Sequence, residues 1–185
     1  MEGFDDVIAL QDVDISANGV AYGTGIWWYI RYGIPTLSSG SVTFEVSGCV
    51  EESFYYKGVL LTMWSESDGY DYNTVPYIFE LRRYGYVAGR DDVTDALKIK
   101  MKVNDTWAET DYAALSWDPQ QTYTFDVTWG DSIVRVYRDS VLYLTLAYPG
   151  EFVPNDHVIQ IGSQPFRSRP APAGLWVSGV RIRAF

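Results

Sequence analysis

Cysteine is almost missing from this chain of 185 residues, where Cys49 stands alone. No internal disulfide can form, and cysteine-based metal clusters are excluded. Within Val46-Ser47-Gly48-Cys49-Val50 the thiol reads as a small buried hydrophobe. A catalytic thiol needs an activating base, and the single histidine, His157, is far away in sequence. Positive charge is scarce as well. Fourteen Lys and Arg stand against 24 Asp and Glu, for a net charge of -10. Such a domain repels phosphate backbones, which disfavours nucleic acid as a partner. It repels anionic membranes for the same reason, and a strongly anionic polysaccharide is disfavoured too. No stretch reaches the roughly 18 apolar residues of a membrane-spanning helix. Residues 1–6 are acidic and lack the basic and apolar regions of a signal peptide. Helical periodicity over about ten residues is absent, as are internal repeats and a domain boundary.

What is abundant is aromatic. Tyr, Trp and Phe make up 16% of the residues, with 15 Tyr and 7 Trp. Aromatic and β-branched side chains suit pleated, half-buried surfaces. Period-2 alternation is the dominant pattern. In Ser41-Val42-Thr43-Phe44-Glu45-Val46-Ser47 the apolar residues point one way and the polar ones the other. Lys98-Ile99-Lys100-Met101-Lys102-Val103 repeats this with the lysines outward, and so does the stretch from Tyr123 to Trp129. A one-residue slip would turn each set inside out, so these registers are strongly specified. One apolar and one polar face is the condition of an antiparallel sandwich. Further strands are predicted over residues 22–31, 58–64, 77–86, 133–137, 141–146, 157–161 and 175–183. Turns at Gly130-Asp131-Ser132 and Arg138-Asp139-Ser140 separate some of them. A chain of about 200 residues can form one such sandwich and bury roughly 70% of its unfolded surface. The fold class is therefore all-β, a two-sheet antiparallel β-sandwich, with residues 1–185 as a single domain.

Trp117-Asp118-Pro119 leads into the strand from Tyr123 to Trp129. Val134-Arg135-Val136-Tyr137-Arg138-Asp139-Ser140 follows, then Phe152-Val153-Pro154 and Ile159-Gln160-Ile161-Gly162. This order resembles the concanavalin A-like lectin and glucanase superfamily, in its laminin-G-like branch. That pattern has a Tyr-initiated strand ending in Trp, an aromatic-x-Asp-Gly hairpin tip, and a returning strand ending in Ile-Gly. Ser140 replaces the glycine of the tip, which leaves the turn type open. The match covers about residues 115–185, and Gly40 to Val46 is similar to the early strand of the family. The resemblance implies a jelly roll, an extracellular or cell-surface location, and membership of a larger secreted protein. Among the functions it implies are lectins, carbohydrate-binding modules, glucanases, polysaccharide lyases and protein-binding laminin-G domains.

Glycoside hydrolysis needs two carboxylates about 5 Å apart for retention, or up to ~9.5 Å apart for inversion. Laminarinase-type relatives carry them on one strand as Glu-x-Asp-x-x-Glu or Glu-x-Asp-x-Glu. This chain has no such strand. Glu45 stands alone, the same-face neighbour of Glu80 is Arg82, and Glu51 and Glu52 face opposite sides. No catalytic residue is assigned. Asp12-Val13-Asp14 has calcium-loop spacing, but Ala17 stands where the loop requires glycine. Asp68, Asp71 and Asn73 share a loop that could chelate calcium. Relatives hold calcium through an acid on the last strand, and Val177-Ser178-Gly179-Val180 has none. No cofactor or metal is assigned.

Sugars stack their C–H faces on aromatic rings and offer hydroxyls to polar side chains. A binding surface therefore combines exposed Trp or Tyr with polar partners. In Ile26-Trp27-Trp28-Tyr29-Ile30-Arg31, Trp28 and Ile30 share the core face, while Trp27, Tyr29 and Arg31 share the other. Glu80, Arg82, Tyr84 and Tyr86 occupy one face of another strand, where a polar groove competes with a plain solvated face. Trp107 follows the turn Asn104-Asp105-Thr106 and is the loop aromatic expected to be exposed. Trp64 and Trp117 also fall near strand ends or loops. Trp129 and Trp176 alternate with apolar residues and are assigned to the core. His157 is read as a solvent-exposed residue at a strand end. The candidate ligand-binding set is Trp27, Tyr29, Arg31, Glu80, Arg82, Tyr84, Tyr86 and Trp107. The expectation is a non-catalytic carbohydrate-binding module for β-glucan or hemicellulose. A polysaccharide-degrading enzyme and a protein-binding adhesion domain are the alternatives.

Overall fold

The computed structural model describes residues 7–11, 13–24, 27–48, 57–65, 73–84, 95–163 and 174–185. Cys49, Asp12, Glu51, Glu52, Asp68, Asp71 and Tyr86 lie outside the described residues. The chain runs through β1 (Val7–Gln11), β2 (Val13–Ile15), β3 (Ala21–Gly23), β4 (Tyr29–Gly33), β5 (Gly40–Gly48), β6 (Lys57–Ser65), β7 (Ile78–Tyr84) and β8 (Ala96–Val103). It continues through β9 (Thr106–Glu109), β10 (Ala113–Ala114), β11 (Tyr123–Gly130), β12 (Ile133–Arg138), β13 (Val141–Ala147), β14 (His157–Gly162) and β15 (Leu175–Ala184). No helix is present among the described residues.

Two antiparallel sheets result. The first has the order β1-β4-β14-β6-β7-β8-β10, with β9 also paired to β8. The second has the order β13-β12-β11-β5-β15-β3-β2. The alternation in sequence decides which side chains face inward. On β5, Val42, Phe44 and Val46 are buried, and on β11 so are Tyr123, Phe125, Val127 and Trp129. They meet Leu61, Met63, Leu81, Ile99, Met101, Ile159 and Ile161 of the first sheet in one core. Phe44 and Phe125 stack across paired strands with ring centroids 5.6 Å apart. A second, smaller cluster of Trp64, Val75, Ile78 and Val158 packs separately.

The strand expected over residues 22–31 is two strands in different sheets. β3 pairs with β15, and β4 pairs with β14. Between them Trp28 is wholly buried, and its backbone oxygen accepts a hydrogen bond from Ser163 N at 2.9 Å. Glycine is required where this tryptophan passes β14. Gly162 has φ +87, and a Cβ there would strike the Trp28 backbone oxygen. Trp64 lies one residue from the end of β6, as expected, and is fully buried there. Trp117 is half-buried ahead of β11, and its Nε1 donates to Gly48 O at 2.9 Å.

His157 is also buried, with 0% exposure, rather than open at a strand end. Its ring stands edge-on to Trp129 and Phe152, at 5.9 and 5.8 Å between centroids. Neither ring nitrogen has a hydrogen-bond partner among the described residues. Position 157 begins β14 and is in phase with Ile159 and Ile161, which takes its side chain into the sandwich.

Candidate functional site

Strand register assembles a polar row on the outer side of the first sheet. Arg31 of β4 stands beside Gln160, Gln160 beside Thr62, and Thr62 beside Glu80. Glu80 in turn stands beside Lys100, and Lys100 beside Glu109. Three residues expected at the site, Arg31, Glu80 and Arg82, belong to this layer. They are closed to solvent, at 5%, 1% and 5% exposure. Tyr84 is also closed, at 3%. The expected solvated or ligand-facing groove is thus a buried polar layer in this conformation.

The layer is tied together internally. Arg82 Nε donates to Glu80 Oε2 at 2.7 Å, and its Nη2 reaches the same oxygen. Arg31 donates to Gln160 Oε1 at 3.3 and 3.4 Å. Its guanidinium lies over the rings of Tyr29 and Trp64, at 4.8 and 5.1 Å. Among the described residues Glu80 Oε1 has no hydrogen-bond partner. Tyr84 meets Tyr112 edge-on at 5.0 Å, and burial raises its pKa. Burial lowers the pKa of Lys100, with Arg82 as the next cause.

The open members of the expected set lie at the two sides of this layer. Trp27 and Tyr29 are half-buried on or beside β4. Trp107 is 40% exposed on β9. Five strand spacings, about 24 Å, separate β4 from β9, so these residues form two patches and not one. Two lysines lie against Trp107, with Lys100 Nζ at 4.7 Å and Lys102 Nζ at 5.6 Å from its ring centroid. Lys102 also pairs with Asp105 at 3.0 Å, and Lys98 with Glu109 at 3.1 Å.

The two carboxylates on the row, Glu80 and Glu109, are separated by Lys100. Of the residues considered for calcium, Asp14 is exposed on β2, and Asn73 offers its backbone oxygen to Lys102 Nζ at 2.8 Å.

One exposed aromatic escaped the sequence reading. Trp176 is 44% exposed on the outer side of the second sheet, not in the core. Simple alternation groups Trp176 with Val180. A bulge between Ser178 and Arg181, with Gly179 at φ +59, changes the phase. Leu175, Val177, Val180 and Ile182 then point inward together, and Trp176 points out. Strand pairing places Tyr22 directly beside it, with ring centroids 4.4 Å apart and a 36° tilt. Farther along the same face, Thr43, Thr124, Asp126, Tyr137 and Ser140 line a shallow cavity of about 370 Å³.

The order of strands, the inward alternation and the hairpin from β12 to β13 can be set beside solved structures. Over 96% of this chain and 94% of the other, the carbohydrate-binding module CBM66 from Bacillus subtilis superposes with a TM-score of 0.56 at 11% identity. The fold is a concanavalin A-like, laminin-G jelly roll. Domain 4 of AbnA, a GH43 extracellular arabinanase from Geobacillus stearothermophilus solved with arabinotriose, shares this jelly roll. It gives a TM-score of 0.58 at 13% identity over 95% of this chain and 75% of that one. Mouse laminin α1 domains LG4-5 give 0.63 at 8% identity, over 95% of this chain and 44% of theirs. No family model matches the sequence. No curated protein matches it either. At these identities the likeness carries the jelly roll and leaves the ligand to the side chains.

Proposed function

We propose that this jelly roll is a non-catalytic carbohydrate-binding module that recognises a plant or microbial polysaccharide by stacking and polar contact. The observation that carries the reading is Trp107, a 40% exposed indole on a short strand, beside Lys100, Lys102 and Glu109. An open indole offers an apolar face on which the C–H face of a sugar ring can stack, and the polar groups beside it can meet hydroxyls. Tyr29 and Trp27 would make the contact at the opposite side of the same sheet. Arg31, Glu80, Arg82 and Tyr84 would act from behind as the layer that fixes these rings, and Tyr86 completes the set proposed from sequence. A carbohydrate-binding module and an arabinanase domain solved with arabinotriose, both among the solved neighbours, support a sugar ligand. A β-glucan, a hemicellulose or an arabinan suits the acidic, aromatic surface. An extracellular setting within a larger protein fits the same reading.

A second reading, a protein-binding adhesion domain, has its own observation. Val141 and Leu142 are 58% and 50% exposed on β13, the edge of the second sheet. The laminin neighbour is consistent with it.

Native affinity electrophoresis separates the readings. Gels would contain mixed-linkage β-glucan, xyloglucan, xylan, glucomannan, laminarin or arabinan, and parallel incubations would be assayed for new reducing ends. Retardation without new ends, weakened in Trp107→Ala, is the expected result. New reducing ends would replace the module by an enzyme. Absence of both retardation and cleavage would favour the adhesion reading.

A further inference from the structure

We infer that the outer face of the second sheet carries a separate sugar-binding platform, built on Tyr22 and Trp176 and selective for neutral glycans. The inference rests on the carbohydrate reading above but uses none of its residues.

The platform is a consequence of register. Asp14 of β2, Tyr22 of β3, Trp176 of β15 and Ser47 of β5 stand side by side in one row. Tyr22 supports one side of the indole at 4.4 Å, while 44% of Trp176 remains open. A pyranose or furanose ring presents an apolar C–H face of a size that an indole can cover. Leaving such a surface in water is unfavourable, and covering it is the gain a ligand would realise.

The polar groups beside the ring have the matching chemistry. In the next row Ser178 stands beside Glu45, and its hydroxyl donates to Glu45 Oε2 at 2.9 Å. In the row after that, Thr43 donates to Asp126 Oδ1 at 3.0 Å, beside Tyr137. Sugar hydroxyls are donors, and carboxylate oxygens are acceptors that form stronger hydrogen bonds than neutral ones do. Glu45 and Asp126 thus offer acceptors along a diagonal from Trp176 to the cavity at Tyr137, and Asp14 offers one beyond Tyr22 on the other side of the indole. Three strand spacings and four residues of rise make that diagonal about 20 Å long, enough for a short oligosaccharide. The same carboxylates repel uronate and sulfate groups, as does the net charge of -10. The exposed Arg181 beside Thr43 is a cation on this face, at the end of the diagonal away from Trp176.

Trp176 could instead merely shield its neighbours. Its Cδ1 lies 3.1 Å from where a Cβ on Gly48 would sit, so it does cover backbone. A shielding role predicts lost stability on truncation and no change in binding. The two roles therefore separate in one experiment.

The probes are the neutral polysaccharides named above and, as the acidic control, polygalacturonate. Wild type, Trp176→Ala, Trp176→Phe, Glu45→Gln and Trp107→Ala would be run in affinity gels, with thermal unfolding as the control for folding. For the neutral polymer that retards wild type, Trp176→Ala should weaken binding about tenfold or more, as truncation of an aromatic anchor does. Trp176→Phe should keep most of the binding, and Glu45→Gln should lose part of it. Polygalacturonate should not retard any of them. Wild-type affinity in folded Trp176→Ala overturns the platform while the carbohydrate reading survives. If that variant does not fold, full affinity in Glu45→Gln overturns it. Retardation by polygalacturonate alone overturns the selectivity for neutral glycans. If no polysaccharide retards wild type, both the platform and the carbohydrate reading fall.

Discussion

His157 shows how one residue can couple this fold to pH. It is buried among aromatic rings, without a hydrogen-bond partner among the described residues, and burial pushes its pKa from 6.5 down to about 4. The folded protein therefore holds the neutral ring, while the unfolded chain takes up a proton below about 6.5. Stability is complete above that pH and falls as pH drops towards about 4, where both states are protonated. The full difference corresponds to about 3 kcal/mol. Urea unfolding at pH 7 and pH 4.5 should show wild type losing about 2 kcal/mol more than His157→Phe over that interval. Equal losses in the two proteins would mean that the ring is not buried as a neutral group. Glu80 illustrates a different residue-scale constraint. Its same-strand partner Arg82 hydrogen-bonds the buried carboxylate, so a pair that has the look of a groove in sequence is a layer in space.

Among the elements, the hairpin tips are the clearest case of local chemistry. Asn104-Asp105, Asp131-Ser132 and Asp139-Ser140 all have positive φ at both central residues. That is the turn whose twist matches the twist of the flanking strands. It answers the open question at Ser140, which adopts φ +66 without being glycine. Asp139 compensates by accepting from Thr124 N at 2.9 Å and donating its own N–H to Thr124 O at 2.8 Å. A non-glycine residue in the left-handed region is strained by about 1 kcal/mol. The extra chain entropy of glycine takes back part of that. Ser140→Gly should therefore raise stability by about 0.5 kcal/mol in chemical denaturation, with the denaturant slope unchanged. A destabilised variant would show that the Ser140 side chain contributes contacts that outweigh the strain. The bulge in β15 works at the same scale. One extra residue around Gly179 reverses which parity faces the core, and that alone moved Trp176 from the expected interior to the surface.

At the scale of the whole molecule, the two exposed tryptophans lie on opposite sides of the sandwich. Trp107 is on the outer side of the first sheet, and Trp176 on the outer side of the second. A module with one patch can only coat a polymer, whereas one with two opposed patches can bridge two chains. Mixed with the polysaccharide that retards it, wild type should raise light scattering at intermediate ratios and clear again in excess protein. Trp176→Ala should abolish the rise while keeping some binding, and Trp107→Ala should lower it, since Trp27 and Tyr29 remain at the first sheet. A rise unchanged in both single variants would point to self-association as its cause.

Alternation by itself determined the class of this fold. Val42, Phe44 and Val46, or Phe125, Val127 and Trp129, bury one face as strands because side chains repeat with period two, and one-sided burial is characteristic of antiparallel sheets. The outer lysines of β8 and the exposure of Trp107 followed from the same pattern and from the turn before it. What the pattern could not carry was anything set by a partner strand or by a break in period. Whether Glu80 and Arg82 see water depends on what packs over the first sheet. Tyr22 and Trp176 become neighbours only when β3 pairs with β15, across more than 150 residues of chain. His157 is enclosed by Trp129 and Phe152 only once the two sheets close. Local sequence sets which way a side chain points relative to its neighbours, and tertiary packing decides whether that direction leads to solvent, to a ligand or to the core.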